Sequence, residues 1–318
     1  MRILITGSSG YVGWHLKQAL SYLGHEIISF DRAEKSSLAP QIDSHFIRAS
    51  SHDLSELHSI DRKLKIDAVV HLAAKKSVLE STNNPNVFRK TNVEGSVNVA
   101  RFVAERKIPI FINASSAAVY GNNTEQIINS KTQVNPKSVY GETKAIAENL
   151  IRENLNFDET YFYNLRFFNI AGYGGNCRVA IPDVNIFPKV VSALRSGTTF
   201  TLNGNNFDTR DGTCIRDFIH VCDVVKAINA CLQERNLSKE FFQTNINVCS
   251  GIGTSMLEVI RLMENQSRDT LKIEFLPRRD EDPKEVIGDP STFIELINHE
   301  KLIDITDIAE STWRAHLS

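Results

Sequence analysis

Two kinds of hydrophobic pattern alternate through the first half of the chain. Short, nearly all-apolar runs read as strands: "RILIT" (2–6), "EIISF" (26–30), "HFIRA" (45–49), "DAVVHL" (67–72), "PIFINA" (109–114) and "TYFYNLRF" (160–167). Between them, apolar positions recur at helical spacing near 11–24, 53–64, 86–106 and 139–156. Strands apolar on both faces and separated by helices predict a parallel sheet covered on both sides. That is a doubly wound α/β sheet, whose ligand crevice lies beyond the carboxyl ends of the strands. After about residue 170 the pattern loosens, with "NIAGYGGN" reading as a turn-rich junction and 184–197 as a helix. Short strands are expected at "TFTLNG", "RDFIHV", "TNINVCSG" and "LKIEFLP", and helices at 222–235, 254–266, 289–298 and 307–316. The expected organisation is a first domain over 1–170 and a smaller α/β lobe over 171–318, with segments near 212–250 returning to the first.

"ITGSSGYVG" places Gly7, Gly10 and Gly13 directly after the first strand and at the start of a helix. Glycines there permit a tight turn and close approach of the backbone to a pyrophosphate, whose charge sits on the helix N-terminus. Asp31 ends the second strand, 18 residues after Gly13. Its carboxylate would accept hydrogen bonds from an adenosine ribose and repel a 2′-phosphate, which favours NAD over NADP. Arg32 next door weakens that discrimination.

Ser115 and Ser116 follow "PIFINA", at the carboxyl end of a strand, where the crevice is expected. "SVYGETK" then sets Tyr140 and Lys144 on one side of a helical turn. Lowering a tyrosine pKa from about 10 to near 7 takes roughly 4 kcal/mol of preference for the phenolate. A nearby ammonium and a positively charged oxidised nicotinamide can supply it. The trio then reads as a base that takes a hydroxyl proton while hydride leaves the adjacent carbon. By itself a Tyr-x-x-x-Lys pair is an ordinary surface decoration; the glycine loop and the upstream serine change its meaning.

Composition removes other classes. A formal net charge of −2, 42% hydrophobic and 23% charged residues give no polybasic surface for nucleic acid. No apolar run reaches the roughly 20 residues of a membrane helix, and "MRILITGSSG" enters a strand with no signal-peptide pattern. Five cysteines (177, 214, 222, 231, 249) form no CxxC pair, so reduced thiols in the cytoplasm are expected. Nine histidines include no HExxH, and no metal is expected.

"GSSGYVG", "HLAAKKSV", "SSAAVYG", "SVYGETK", "LRFFNIAG", "IRDFIHV" and "PRRDED" follow the order seen in extended short-chain dehydrogenases/reductases. Over essentially its whole length the chain most resembles their UDP-galactose 4-epimerase group. The resemblance implies a Rossmann domain with a C-terminal substrate lobe, and catalytic roles for Ser116, Tyr140 and Lys144. It implies that Gly7, Gly10, Tyr11, Val12, Gly13, Asp31, Leu72, Ala73, Ala74, Lys76 and Asn92, with Tyr140 and Lys144, contact NAD. Asn169, Asn185, Arg216 and Arg279 fall on positions that hold the uridine diphosphate of a UDP-sugar, and Ser116 touches the substrate. Val286 falls on a gate beside the sugar's second carbon; being much smaller than tyrosine, it suggests that N-acetylated UDP-hexoses are accepted as well as plain ones.

Related dehydratases carry Asp-Glu just after the catalytic hydroxyl, and decarboxylases a Glu. Ala117 and Ala118 stand here and cannot transfer a proton, which leaves oxidation and re-reduction at the fourth carbon. A UDP-uronate 4-epimerase and an NAD(P)-linked sugar-nucleotide reductase remain open, as does a non-enzymatic NAD sensor. The family pattern also departs at Ser50, which stands where an adenine-contacting Asp is usual, with Asp53 three positions on. A homodimer is what the resemblance suggests.

Overall fold

The computed structural model describes residues 1–32, 45–122, 127–175, 185–233, 243–279 and 282–317. Along the chain run β1 (Arg2–Thr6), α1 (Tyr11–Tyr22), β2 (Glu26–Asp31), β3 (His45–Arg48), α2 (Leu54–His58) and β4 (Ala68–His71). Next come α3 (Val78–Asn83), α4 (Pro85–Phe88), α5 (Gly95–Glu105), β5 (Ile110–Ser116), α6 (Val139–Asn154) and β6 (Tyr161–Phe167). The second half contains β7 (Asn169–Ala171), α7 (Ile186–Ser196), β8 (Phe200–Asn203), β9 (Ile215–His220), α8 (Val221–Gln233) and β10 (Gln243–Val248). It ends with β11 (Gly253–Ser255), α9 (Met256–Ser267), β12 (Ile273–Leu276), β13 (Glu285–Val286), α10 (Ser291–Leu296) and α11 (Ile305–Leu317).

Seven strands form the main sheet in the order β10-β6-β5-β4-β1-β2-β3, and the pairs β1–β2, β1–β4, β2–β3 and β4–β5 are parallel. The reversal of direction beside β1 is the switch point of a Rossmann-type sheet. The strands are nearly all buried because helices cover both faces. Leu4, Ile28, Val69, Phe111 and Phe162 pack with Val99, Phe102 and Val103 of α5 in one continuous core. Burial of this kind is the main stabilising term, at about 25 cal/mol per Å² of apolar surface.

The chain divides into two compact units, the first comprising 1–121, 136–166 and 225–246, and the second 122–135, 167–224 and 247–318. Within the span 212–250, residues 225–246 thus belong to the first unit. The second unit has its own core, centred on Phe187, Val190 and Val191 of α7, Val259, Ile260 and Met263 of α9 and Ile308 of α11. In it β9 is flanked by antiparallel β11 and by parallel β13 and β7, and β8 pairs with β12.

Two expectations needed revision. The helix read over 53–64 stops at His58. The guanidinium of Arg106 collects the carbonyls of Ile60, Asp61, Arg62 and Leu64, acceptors that a continuing helix would have left to its surroundings or used itself. The helix read over 86–106 is interrupted by a π-helical turn, Arg89–Glu94, between α4 and α5. The short helix α3, capped by Ser77, and the short strands β7, β11 and β13 gave no periodic signal. Cys177 and the expected helix ends at 184 and 234–235 lie outside the described residues.

In the second unit one carboxylate gathers several loops. Asp217, fully buried in β9, accepts from Ser250 N (2.8 Å), Ser250 Oγ (2.7 Å), Gly251 N (2.9 Å) and Gly288 N (3.2 Å). Burial pushes its pKa up to about 6 against those donors. An amide in its place would turn an NH₂ group towards backbone N–H groups. Asp217→Asn should therefore cost about 2 kcal/mol of stability, read as a lower urea midpoint at pH 8; an unchanged midpoint would show that these bonds do not hold the loops.

Candidate active site

In the first unit the loop from β1 to α1 has the shape a pyrophosphate requires. Gly7 adopts φ +73°, a conformation that side chains disfavour. A Cβ on Gly13 would stand 2.4 Å from the Gly7 carbonyl oxygen, so only glycine allows the loop to close on the helix start. Gly10 is the N-cap, Tyr11 is buried against His15, and Val12 is half-buried in the first turn. Asp31 reaches back from β2 to accept from Ser9 N at 2.9 Å, fixing the loop beside the ribose position. The hydroxyls of Ser8 and Ser9 are buried and have no protein partner among the described residues. Such donors suit phosphate oxygens, and the sequence reading had passed over both.

The segment after β4 carries the next group of expected NAD contacts. Leu72 N bonds to Thr6 O (3.0 Å) and Ala73 N leans on Thr6 Oγ1 (3.4 Å), which seats Leu72, Ala73 and Ala74 beside the glycine loop. Lys76 is exposed as a residue, yet desolvation around its ammonium holds it below the ordinary lysine value. Asn92, fully buried in the π turn, accepts from Lys75 N (2.8 Å) and donates to Lys75 O (2.9 Å) and Thr143 Oγ1 (3.1 Å). Its amide thus braces the loop rather than pointing away from it. Ser50, in turn, bonds His52 Nδ1 at 2.7 Å, while Asp53 caps α2 through Ser55.

Ser116, Tyr140 and Lys144 are brought together where α6 crosses the end of β5. The Tyr140 phenol and the Ser116 hydroxyl share a hydrogen bond. Lys144, 6% exposed, donates from Nζ to Ala114 O at 2.7 Å. Ser138 caps α6 by accepting from Gly141 N (3.1 Å), and Ser81 of α3 accepts from Tyr140 N (3.1 Å). A Cβ on Gly141 would stand 2.4 Å from Ala118 O, so this glycine sets how closely the helix approaches; sequence reading missed it, along with Ser81 and Thr143.

The electrostatics show how much the protein supplies by itself. Within the protein alone, the Tyr140 pKa is raised, because burial outweighs the opposing bond from Ser116. Lys144 is spent on a carbonyl rather than directed solely at the phenol. Its own pKa falls to about 8, since burial disfavours the ammonium while Glu148 partly restores it. A phenolate therefore needs a further positive charge at the site. Below it, His71 is held neutral by burial and then by Lys144, with its pKa pushed down to about 3. Ser96 donates to Asn92 O (2.6 Å), so His71 Nε2 donates to Ser96 (3.0 Å) and Nδ1 accepts from Thr6 Oγ1 (2.7 Å).

The residues expected to hold a diphosphate lie in the second unit, most of them around β9. Asn169 Nδ2 donates to Asp217 O (2.9 Å), and Asn185 both caps α7 and donates to Ile170 O (2.7 Å). Arg216 Nη1 donates to Ile215 O and Pro283 O, both at 2.8 Å, and Val286 is its register partner on β13. Arg279 is exposed in the loop after β12. Among the described residues no cluster of His, Cys, Asp and Glu could hold a metal ion, and no helix is long and apolar enough to cross a membrane.

A doubly wound sheet with this glycine loop defines a dinucleotide-binding protein of the Rossmann class. Residues 3–249 match the NAD dependent epimerase/dehydratase family, and the chain belongs to it. It is 30% identical to UDP-glucose 4-epimerase of Halalkalibacterium halodurans, covering 99% of this chain and 96% of that one. Among solved structures, UDP-glucose-4-epimerase from Stenotrophomonas maltophila, with bound NAD and formylated UDP-arabinopyranose, superposes with a TM-score of 0.92 at 27% identity, covering 100% and 98%. The UDP-Glc/GlcNAc 4-epimerase of Campylobacter jejuni superposes with a TM-score of 0.83 at 30% identity, covering 99% of each chain.

His71 titrates near 6.5 when unfolded and at about 3 when folded. Its neutral form contributes stability that is complete above pH 6.5 and lost as the pH falls towards 3. From this group the unfolding free energy should drop by up to about 1.4 kcal/mol per pH unit as pH falls from 6.5 towards 3. Urea titrations at pH 7, 6 and 5 should show a flatter pH dependence for His71→Gln; parallel curves would reject the assignment.

Proposed function

We propose that the chain is an NAD-dependent 4-epimerase of UDP-hexoses, interconverting UDP-glucose with UDP-galactose and their N-acetyl counterparts. The observation that carries this reading is the Ser116–Tyr140 hydrogen bond beside the buried Lys144, with alanines at 117 and 118 in place of carboxylates. NAD, when bound, supplies the hydride acceptor and donor at the sugar's fourth carbon. Tyr140, as phenolate, takes the 4-hydroxyl proton and later returns it. Ser116 orients the reacting oxygen, and Lys144 contributes positive charge that favours the phenolate. The second positive charge that the raised Tyr140 pKa demands is consistent with an oxidised nicotinamide.

Asn169, Asn185, Arg216 and Arg279 anchor the uridine diphosphate, the arginines through planar, permanently charged donors. A firm anchor with weak sugar contacts holds a keto intermediate without fixing which face it presents. Val286 leaves room for a 2-acetamido group, a reading supported by its moderate size and its register beside Arg216. The protein works on this reading as a cytoplasmic homodimer.

Incubation with UDP-glucose and no added cofactor should yield UDP-galactose without net NADH; turnover only with added NADPH would identify a reductase instead. Tyr140→Phe should lower the rate by about 100-fold or more while the protein keeps its NAD, seen by absorbance of the acid extract; a wild-type rate would remove Tyr140 from its role. Val286→Tyr should depress turnover of UDP-N-acetylglucosamine selectively, and equal losses on both sugars would refute the gate.

A further inference from the structure

α6 faces β5 with a stripe of three polar side chains at successive turns: Tyr140, Lys144 and Glu148. Each meets one of three consecutive residues at the strand's end. Tyr140 bonds Ser116, Lys144 bonds Ala114 O, and Glu148 Oε1 accepts from Ser115 Oγ at 2.5 Å. Glu148 is 2% exposed, and its other contacts are those of a fixed carboxylate. Arg166 of β6, 3% exposed, donates from Nε to Oε1 (3.0 Å) and from Nη2 to Oε2 (2.7 Å). Arg166 is itself held by Tyr120 through Nη1 (2.9 Å), and Asn164 adds a bond to Glu148. Burial alone would raise the Glu148 pKa, but Arg166 and Ser115 bring it below the ordinary value.

A buried ion pair is a weak source of stability, since desolvation offsets its attraction. Its placement here points to another use. We propose that Glu148 is a positioning residue for the Tyr140–Lys144 chemistry: clamped by Arg166, it holds Ser115 so that Ser116 meets Tyr140, and its carboxylate supplies compensating charge one turn from Lys144. The proposal rests on the catalytic reading of Tyr140 and Lys144 given above. The other ionisable groups around this seam are His71 on β4, Arg166 on β6, Tyr120 after β5 and Arg152 on α6. Further out, Arg89 lies near Glu142, and Glu80 of α3 is taken up by Lys75.

The test compares Glu148→Gln, the double variant Glu148→Gln with Arg166→Met, and Ser115→Ala. Lys144 is titrated directly by ¹³Cε-lysine NMR, its resonance identified by loss in Lys144→Met. The single Gln variant removes the negative charge facing Arg166 and is expected to unfold more easily; the double variant removes both charges and should melt close to wild type. In the double variant the Lys144 midpoint should fall by about one pH unit. The alkaline limb of kcat should move down with it, with kcat at pH 8 reduced about fivefold and KM changed less than threefold. Ser115→Ala should lower kcat and leave the Lys144 midpoint in place, separating the clamp from the charge. A double variant with wild-type Lys144 midpoint and wild-type kcat, or Ser115→Ala with wild-type kcat, would overturn the corresponding half of the proposal. Should the midpoint move while Tyr140→Phe stays fully active, the catalytic reading fails and the Glu148–Lys144 coupling stands.

Discussion

A lysine and a glutamate on one helix face, both nearly out of contact with water, need each other and need partners on the sheet. That requirement organises the end of β5. Lys144 finds a carbonyl, Glu148 finds a serine and an arginine, and the tyrosine at the head of the stripe finds Ser116. Taken singly, none of these buried groups is favourable; solvation in water would suit each better. Together they leave few alternative arrangements, because shifting the helix by one turn would strand at least one charge.

Two glycines set how closely helices approach their neighbours. Gly141 admits α6 close to Ala118, and Gly13 admits α1 close to Gly7, so backbone contacts replace side chains where side chains would hold the elements apart. In the second unit Asp217 plays the gathering role, drawing Ser250, Gly251 and Gly288 onto β9 next to Arg216.

The parallel sheet was legible because its strands are apolar on both faces and its helices periodic; β1, β2 and β6 fall within a residue of the expected bounds. Where periodicity misled, tertiary contacts had intervened. Arg106 claimed the carbonyls after α2, and the buried Asn92 sits in a π turn that an apolar repeat cannot reveal. That a serine at the end of β5 stands near Tyr140 was readable from strand position; the choice of Ser116 over Ser115 came from the family resemblance. The state of the phenol was not, since it depends on burial and on Lys144 turning to Ala114, neither of which is written in a four-residue interval. Ser8, Ser9 and Glu148 escaped notice for a related reason: serine and glutamate near a helix ordinarily face solvent, and only the fold shows these to be enclosed.

Asn92 does more than brace a loop. Its amide grips both backbone groups of Lys75 and also Thr143, whose hydroxyl donates to the carbonyl of Tyr140 at 2.8 Å. The fingers that would grasp a dinucleotide and the ring that would pass a proton are thereby geared together through a single side chain.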